Sequence, residues 1–194
     1  MKIKHLPILL GLLLVVSPAF AQTIVHDEMV DGELSDTGST PTSVFFGLGV
    51  NTIQGSLGAG GGGGASNGND ADIFTFTLAV GQTVDSIITT RSDQNFGFIG
   101  YSNTSSIGAI SDNDTLAGAI QAGGLFGNGS VAGANAGGLN PIPGSLSAGD
   151  HTFILQETVT PVDFSISFNV VPEPSSGVFF GGLTLLGFIR RRRS

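Results

Sequence analysis

From Val162 to Val170 the chain alternates without a break. Val162, Phe164, Ile166, Phe168 and Val170 fall on one face of an extended backbone, and Asp163, Ser165, Ser167 and Asn169 on the other. A repeat of two is the signature of a strand with one buried face and one wet face. No stretch keeps a convincing 3.6-residue apolar period. The two-residue pattern returns in Asp72 to Val80, where Phe74, Phe76, Leu78 and Val80 share one face and Thr75 and Thr77 the other. Gly81-Gln82 then reads as a turn, with a further strand from Val84 to Thr89. Asn95 to Tyr101 carries Phe96 and Phe98 on one face. Gly149-Asp150 is a turn before His151 to Thr158, where Phe153 and Leu155 align. Thr, Phe, Ile and Val also prefer strands. Short strands with turn chemistry between them predict an all-β fold, an antiparallel, jelly-roll-like β-sandwich.

Glycine supplies the connections. There are 31 among 194 residues, more than twice the usual ~7%. Gly58 to Gly64 is nearly all glycine, and Ala117 to Leu139 is rich in Gly, Ala and Asn. Both read as loops, because glycine costs backbone entropy and buries no side chain; the second has room for a small hairpin. Gly58, Gly60 and Gly63 formally match G-x-G-x-x-G, but neither the strand before nor the helix after that phosphate binding requires is present in the pattern.

The charges are segregated. The seven bases are Lys2, Lys4, Arg91 and Arg190 to Arg193; between Gln22 and Val171 Arg91 stands alone among fourteen acids, so that span carries −13. An acidic surface of this size favours solubility and repels polyanions, which excludes a nucleic-acid binder. There is no Cys, and so no disulfide scaffold, thiolate metal site or Cys nucleophile.

The two ends read as addresses. Residues 1–21 have the parts of a secretory signal peptide: Lys2 and Lys4, the apolar run Ile8 to Val16, the helix-breaking Ser17-Pro18, and Ala19-Phe20-Ala21 as an A-x-A site. Cleavage by signal peptidase after Ala21 leaves Gln22 as the mature N-terminus. Residues 22–171 form the exported domain, long enough to bury about 70% of its unfolded surface. Residues 172–194 hold Pro172-Glu173-Pro174, an uncharged, mostly apolar stretch from Gly177 to Ile189, and Arg190, Arg191, Arg192 and Arg193. The prolines keep the joint extended, with Glu173 exposed and not paired in a sheet. The thirteen-residue apolar run is short of the ~20 of a spanning helix, and the arginines hold it cytoplasmic-side in. It reads as a transient inner-membrane anchor.

This tail resembles the PEP-CTERM sorting signal of Gram-negative bacteria. The resemblance implies processing near the triplet by an exosortase, a membrane transpeptidase-like enzyme, and delivery to the cell surface or the extracellular polysaccharide matrix. The segments 69–87 (NDADIFTFTLAVGQTVDSI) and 147–158 (SAGDHTFILQET) resemble the pre-peptidase C-terminal type of β-sandwich, a module attached to secreted enzymes.

Catalytic candidates are few. His26 lies in an acidic segment (HDEMVDGELSD) that reads as mobile, and His151 opens a strand at the surface; neither sits in a local triad signature. Without a Lys between Gln22 and Val171 there is no Walker A loop. Calcium is the one cofactor held open. Asn67, Asn69, Asp70 and Asp72 cluster hard oxygens before a strand, and Asp112, Asn113 and Asp114 form a second group. Neither has EF-hand spacing, and Asx residues also build loops by bonding their own backbone, which is the leading reading. The expectation is an exported, non-enzymatic surface or matrix protein, with extracellular polysaccharide as a partner. The alternatives are a secreted accessory or carbohydrate-binding module and a small hydrolase.

Overall fold

The computed structural model describes residues 22–58, 71–93, 97–107, 122–133, 140–157 and 161–173. In chain order the elements are β1 (Thr23–Asp27), α1 (Glu28–Asp31), β2 (Thr42–Ser43), β3 (Gly49–Leu57), β4 (Ala71–Leu78), β5 (Gln82–Arg91), β6 (Gly97–Ser102), β7 (Ala122–Phe126), β8 (Gly129–Ser130), β9 (Gly149–Gln156) and β10 (Val162–Pro172). They form two five-stranded sheets, ordered β1-β3-β10-β5-β8 and β2-β4-β9-β6-β7.

Eight of these strands pair in a nested order: β6 with β7, β5 with β8, β4 with β9 and β3 with β10, all antiparallel. That is a jelly roll, a ribbon folded over into two facing sheets. The predicted fold is therefore observed, with one addition. The short edge strands β1 and β2 run parallel to β3 and β4, so both sheets are mixed. Among its described residues the glycine-rich segment forms two short strands that do not pair with each other: β7 joins one sheet and β8 the other, and the chain crosses between layers.

The core lies between the sheets. Every apolar residue of the β10 alternation is buried, as are Phe74, Phe76 and Leu78 of β4 and Phe153 and Leu155 of β9. The Phe168 ring sits at the centre, 5.0 to 6.0 Å from Phe46, Phe74, Phe76 and Phe153. Val80, assigned by alternation to the same face, is 97% exposed. It has left the strand for the turn that Gln82 closes by donating its N–H to Ala79 O at 3.0 Å, with Gly81 at φ +83°. In β6 the core face is the one opposite the phenylalanines: Ile99 and Tyr101 are buried and Phe98 is half-buried on the outer side. Phe96 lies outside the described residues.

Strand β3 escaped the periodicity reading because polar and side-chain-free residues interrupt its inner face. Asn51 is buried but satisfied, donating to Gly47 O and Gly49 O at 2.8 and 2.9 Å and accepting from Gly47 N–H at 2.9 Å. Gly55 leaves a gap that another element fills.

Candidate functional site

Three places on this scaffold carry chemistry, beginning with the end of β10. At Val170 the strand is flanked on both sides, by Gly49 of β3 and by Val84 of β5. Beyond that rung only β5 remains, with Val171 opposite Thr83 and Pro172 opposite Gln82. Pro172 is tolerated there because one flank is already open. Glu173 then donates its N–H to Gly81 O at 2.8 Å. The joint was expected to hold Glu173 out of the sheet. Its side chain is exposed, but its backbone is docked on the β4–β5 turn. Pro174, the apolar run and Arg190 to Arg193 lie outside the described residues, as do Ala19 and Ala21. Gln22 is described, and its side-chain amide donates to Thr52 Oγ1 at 3.1 Å.

The second place is a carboxylate cluster at one end of the sandwich. Glu28, Glu33 and Asp72 each bring an oxygen within 4.8 Å of the others. Asp72 continues the inward face of Phe74 and is fully buried. Glu28 opens α1, whose N-cap is Asp27, accepting from Met29 N–H at 3.0 Å. Its carboxylate reaches the space that Gly55 leaves, where a Cβ would collide with it. It accepts there from Ser56 N–H at 2.7 Å and Leu34 N–H at 3.3 Å. The acidic N-terminal segment is thus ordered, not mobile, and His26 within it hydrogen-bonds Gly32 O at 3.0 Å. Hard oxygens in this arrangement have the chemistry of a divalent-cation ligand set. The expected partners of Asp72 were Asn69 and Asp70; those two, with Asn67 and the Asp112–Asn113–Asp114 group, lie outside the described residues. The acids that meet Asp72 come instead from a segment about forty residues upstream, which no local spacing could reveal.

Across the same rung, Gly55, Phe164 and Arg91 are register partners on β3, β10 and β5. The Arg91 side chain is wholly buried, its Nε 2.9 Å from Asp93 and its terminal nitrogen on both Asp93 and Glu157, itself 1% exposed. Burial disfavours the guanidinium charge, yet the hydrogen bonds and charges of Asp93 and Glu157 outweigh it and raise the pKa. The one Lys or Arg between residues 22 and 171 is therefore an internal strut and brings no positive charge to the surface.

The third place is a groove of about 500 Å³ on the outer face of the first sheet, overhung by α1. Two cross-strand rungs form its floor: Gln54, Ser165 and Thr90, then Ser56, Asp163 and Ser92. Asp27, Glu28 and the exposed Met29 form a wall. Asp27 holds the Gln54 amide at 2.7 Å, and Ser92 Oγ accepts from Asp163 N–H at 3.1 Å.

His151 departs from the sequence reading. It is 4% exposed, a core residue and not surface structure. Nε2 lies 2.8 Å from Ser147 O, which can only accept, so the proton is on Nε2; Nδ1 then accepts from Tyr101 Oη at 2.9 Å. Burial lowers the imidazole pKa, against the opposing pull of the Ser147 carbonyl and Asp150, and burial raises that of Tyr101.

Residues 170–193 match the PEP-CTERM protein-sorting motif. The PEP-CTERM tail marks an exported, surface-directed protein sorted through an exosortase. The match begins at Val170, inside β10, so motif and sandwich overlap on Val170–Glu173. It does not reach the segments 69–87 and 147–158. No curated protein is significantly similar to the chain. Among the described residues no helix is long and apolar enough to cross a membrane.

Proposed function

We propose that this is a non-enzymatic surface or extracellular-matrix protein. Signal peptidase releases it after Ala21, the Gly177–Ile189 segment holds it briefly at the inner membrane with Arg190 to Arg193 inside, and an exosortase then delivers it. The observation that carries the reading is the PEP-CTERM match placed directly on the last strand of a jelly roll. The non-enzymatic part is supported by the two histidines of the mature span. Both are largely buried, and both ring nitrogens of His151 are engaged, by Ser147 O and Tyr101 Oη, so neither presents an open imidazole to solvent. The test is to delete the exosortase gene in the producing cell. The protein is expected to leave the surface and matrix fractions and to accumulate unprocessed in the cell. Unchanged surface display in the deletion strain would defeat the reading.

The groove favours carbohydrate binding as a second reading. Its floor offers hydroxyls, an amide and the exposed Asp163 carboxylate, groups that hydrogen-bond a polyol. Its acidic wall suits neutral glycans better than uronic acids. Titration with β-1,4-, β-1,3-, α-1,4- and α-1,6-linked glucose hexamers is expected to show binding to at least one, weakened about tenfold by Asp163→Asn through loss of one charge-assisted hydrogen bond. Binding insensitive to Asp163→Asn and to the space-filling Ser165→Trp would place the glycan elsewhere.

A further inference from the structure

The triplet Pro172-Glu173-Pro174 has a single backbone donor, since neither proline carries an N–H. The fold has already used it. Glu173 N–H is bonded to Gly81 O at 2.8 Å, and Gly81 is fixed at φ +83° in a turn closed by the backbone bond from Gln82 N–H to Ala79 O at 3.0 Å. Upstream, Pro172 lies opposite Gln82, Val171 opposite Thr83, and Val170 is held from both flanks. Beside the turn, Asn169 donates to Asp85 at 2.9 Å across the bulge where the β10–β5 register shifts. The backbone from Asn169 to Glu173 is therefore part of the sheet, while the Pro172 and Glu173 side chains face solvent.

Enzymes that cut or transfer peptides commonly bind substrate backbone as an added strand, engaging N–H and C=O groups on both sides of the scissile bond. Here the groups that face β5 are taken as far as the Glu173 N–H by β5 and its turn, while the flank toward β3 is open beyond Val170. Resting on the exosortase reading, we infer that the folded jelly roll sets the N-terminal limit of processing. The bond that breaks lies after Glu173, and Pro172-Glu173 is a positioning element that presents the Glu173 carboxylate and the chain beyond it. The broken bond is a peptide C–N. Its acyl carbon passes to water or to a hydroxyl or amine acceptor, and the acceptor's proton goes to the amine of the departing tail. Cutting one or more residues earlier would first require the last rungs of β10 to peel from β5 and its turn.

Intact-mass analysis of the full chain recovered from exosortase-bearing cells tests this. The mature protein is expected to retain Glu173. A C-terminus at Pro172 or earlier overturns the inference while leaving exosortase processing intact. A C-terminus still at Ser194 overturns the processing reading, and this inference with it. A second variant carries Gly-Ser-Gly-Ser between Val171 and Pro172, which frees the triplet from the sheet without touching it. This variant is expected to add products ending before Glu173. If it is cut at the same single bond in the same yield, the enzyme alone sets the limit and the inference fails. Hydrogen exchange of the Glu173 amide gives an independent readout. The exchange is expected to be at least tenfold slower than in the linker variant, and equal rates would show that the joint is not docked.

Discussion

Arg91 shows how much one side chain can matter in a chain with so few bases. It balances the buried Glu157 and the partly exposed Asp93 from a wholly buried side chain. Removing it leaves Glu157 buried without its countercharge, a change that typically costs about 3–5 kcal/mol. Arg91→Ala is expected to lower the urea midpoint accordingly, whereas Arg91→Lys recovers part of the loss because an ammonium cannot reproduce the two-pronged contact with Asp93. His151 makes a different prediction. Burial holds its folded-state pKa below the ordinary value, which is about 6.5. In the interval between those two values the unfolded chain binds a proton that the folded chain does not. The His151 contribution is therefore fully present above about pH 6.5, is lost as pH falls through that value, and levels off below the folded pKa. Thermal unfolding across this range is expected to show the decline, and His151→Gln to flatten it.

Among the elements, strands β4, β9 and β10 were legible because their inner faces are almost wholly aromatic or branched. Identical alternation nonetheless leads to opposite outcomes at Phe168 and Val80. Phe168→Ala opens a cavity among four other rings and is expected to cost about 3–5 kcal/mol. Val80→Asp falls on a 97% exposed turn residue and is expected to change stability by less than about 0.5 kcal/mol. Chemical denaturation of the two variants checks both figures. Periodicity could not separate them, since a glycine turn ends the strand two residues before the apolar pattern stops. It missed β3 for the converse reason. The inner face of β3 gives up apolar side chains at Asn51 and Gly55, where the Asn51 amide holds a loop and Gly55 makes room for the Glu28 carboxylate. Gly55→Ala is expected to expel that carboxylate and loosen α1, at a cost of about 1–3 kcal/mol for the backbone amides it satisfies. Faster hydrogen exchange at Leu34 and Ser56 is the corresponding measurement.

For the molecule as a whole, the sorting tail was readable from order and spacing alone, since its parts are contiguous. The docking of Glu173 was not, because its acceptor, Gly81, belongs to a turn more than ninety residues away, and only the three-dimensional pairing of β5 with β10 brings them together. The nested strand order has a consequence in time as well as in space. Its outermost pair joins β3 to β10 across more than a hundred residues, and proteins dominated by such distant pairings fold in milliseconds to seconds, not microseconds. Stopped-flow refolding is expected to fall in that slow range. In chain order β3 and β5 precede β10, the strand that lies between them, so that sheet is complete only once β10 joins. The sorting triplet begins on the last residue of β10, Pro172. The last strand and the processing joint are thus one stretch of chain, so closing the sheet and docking Glu173 on the Gly81 turn are a single event.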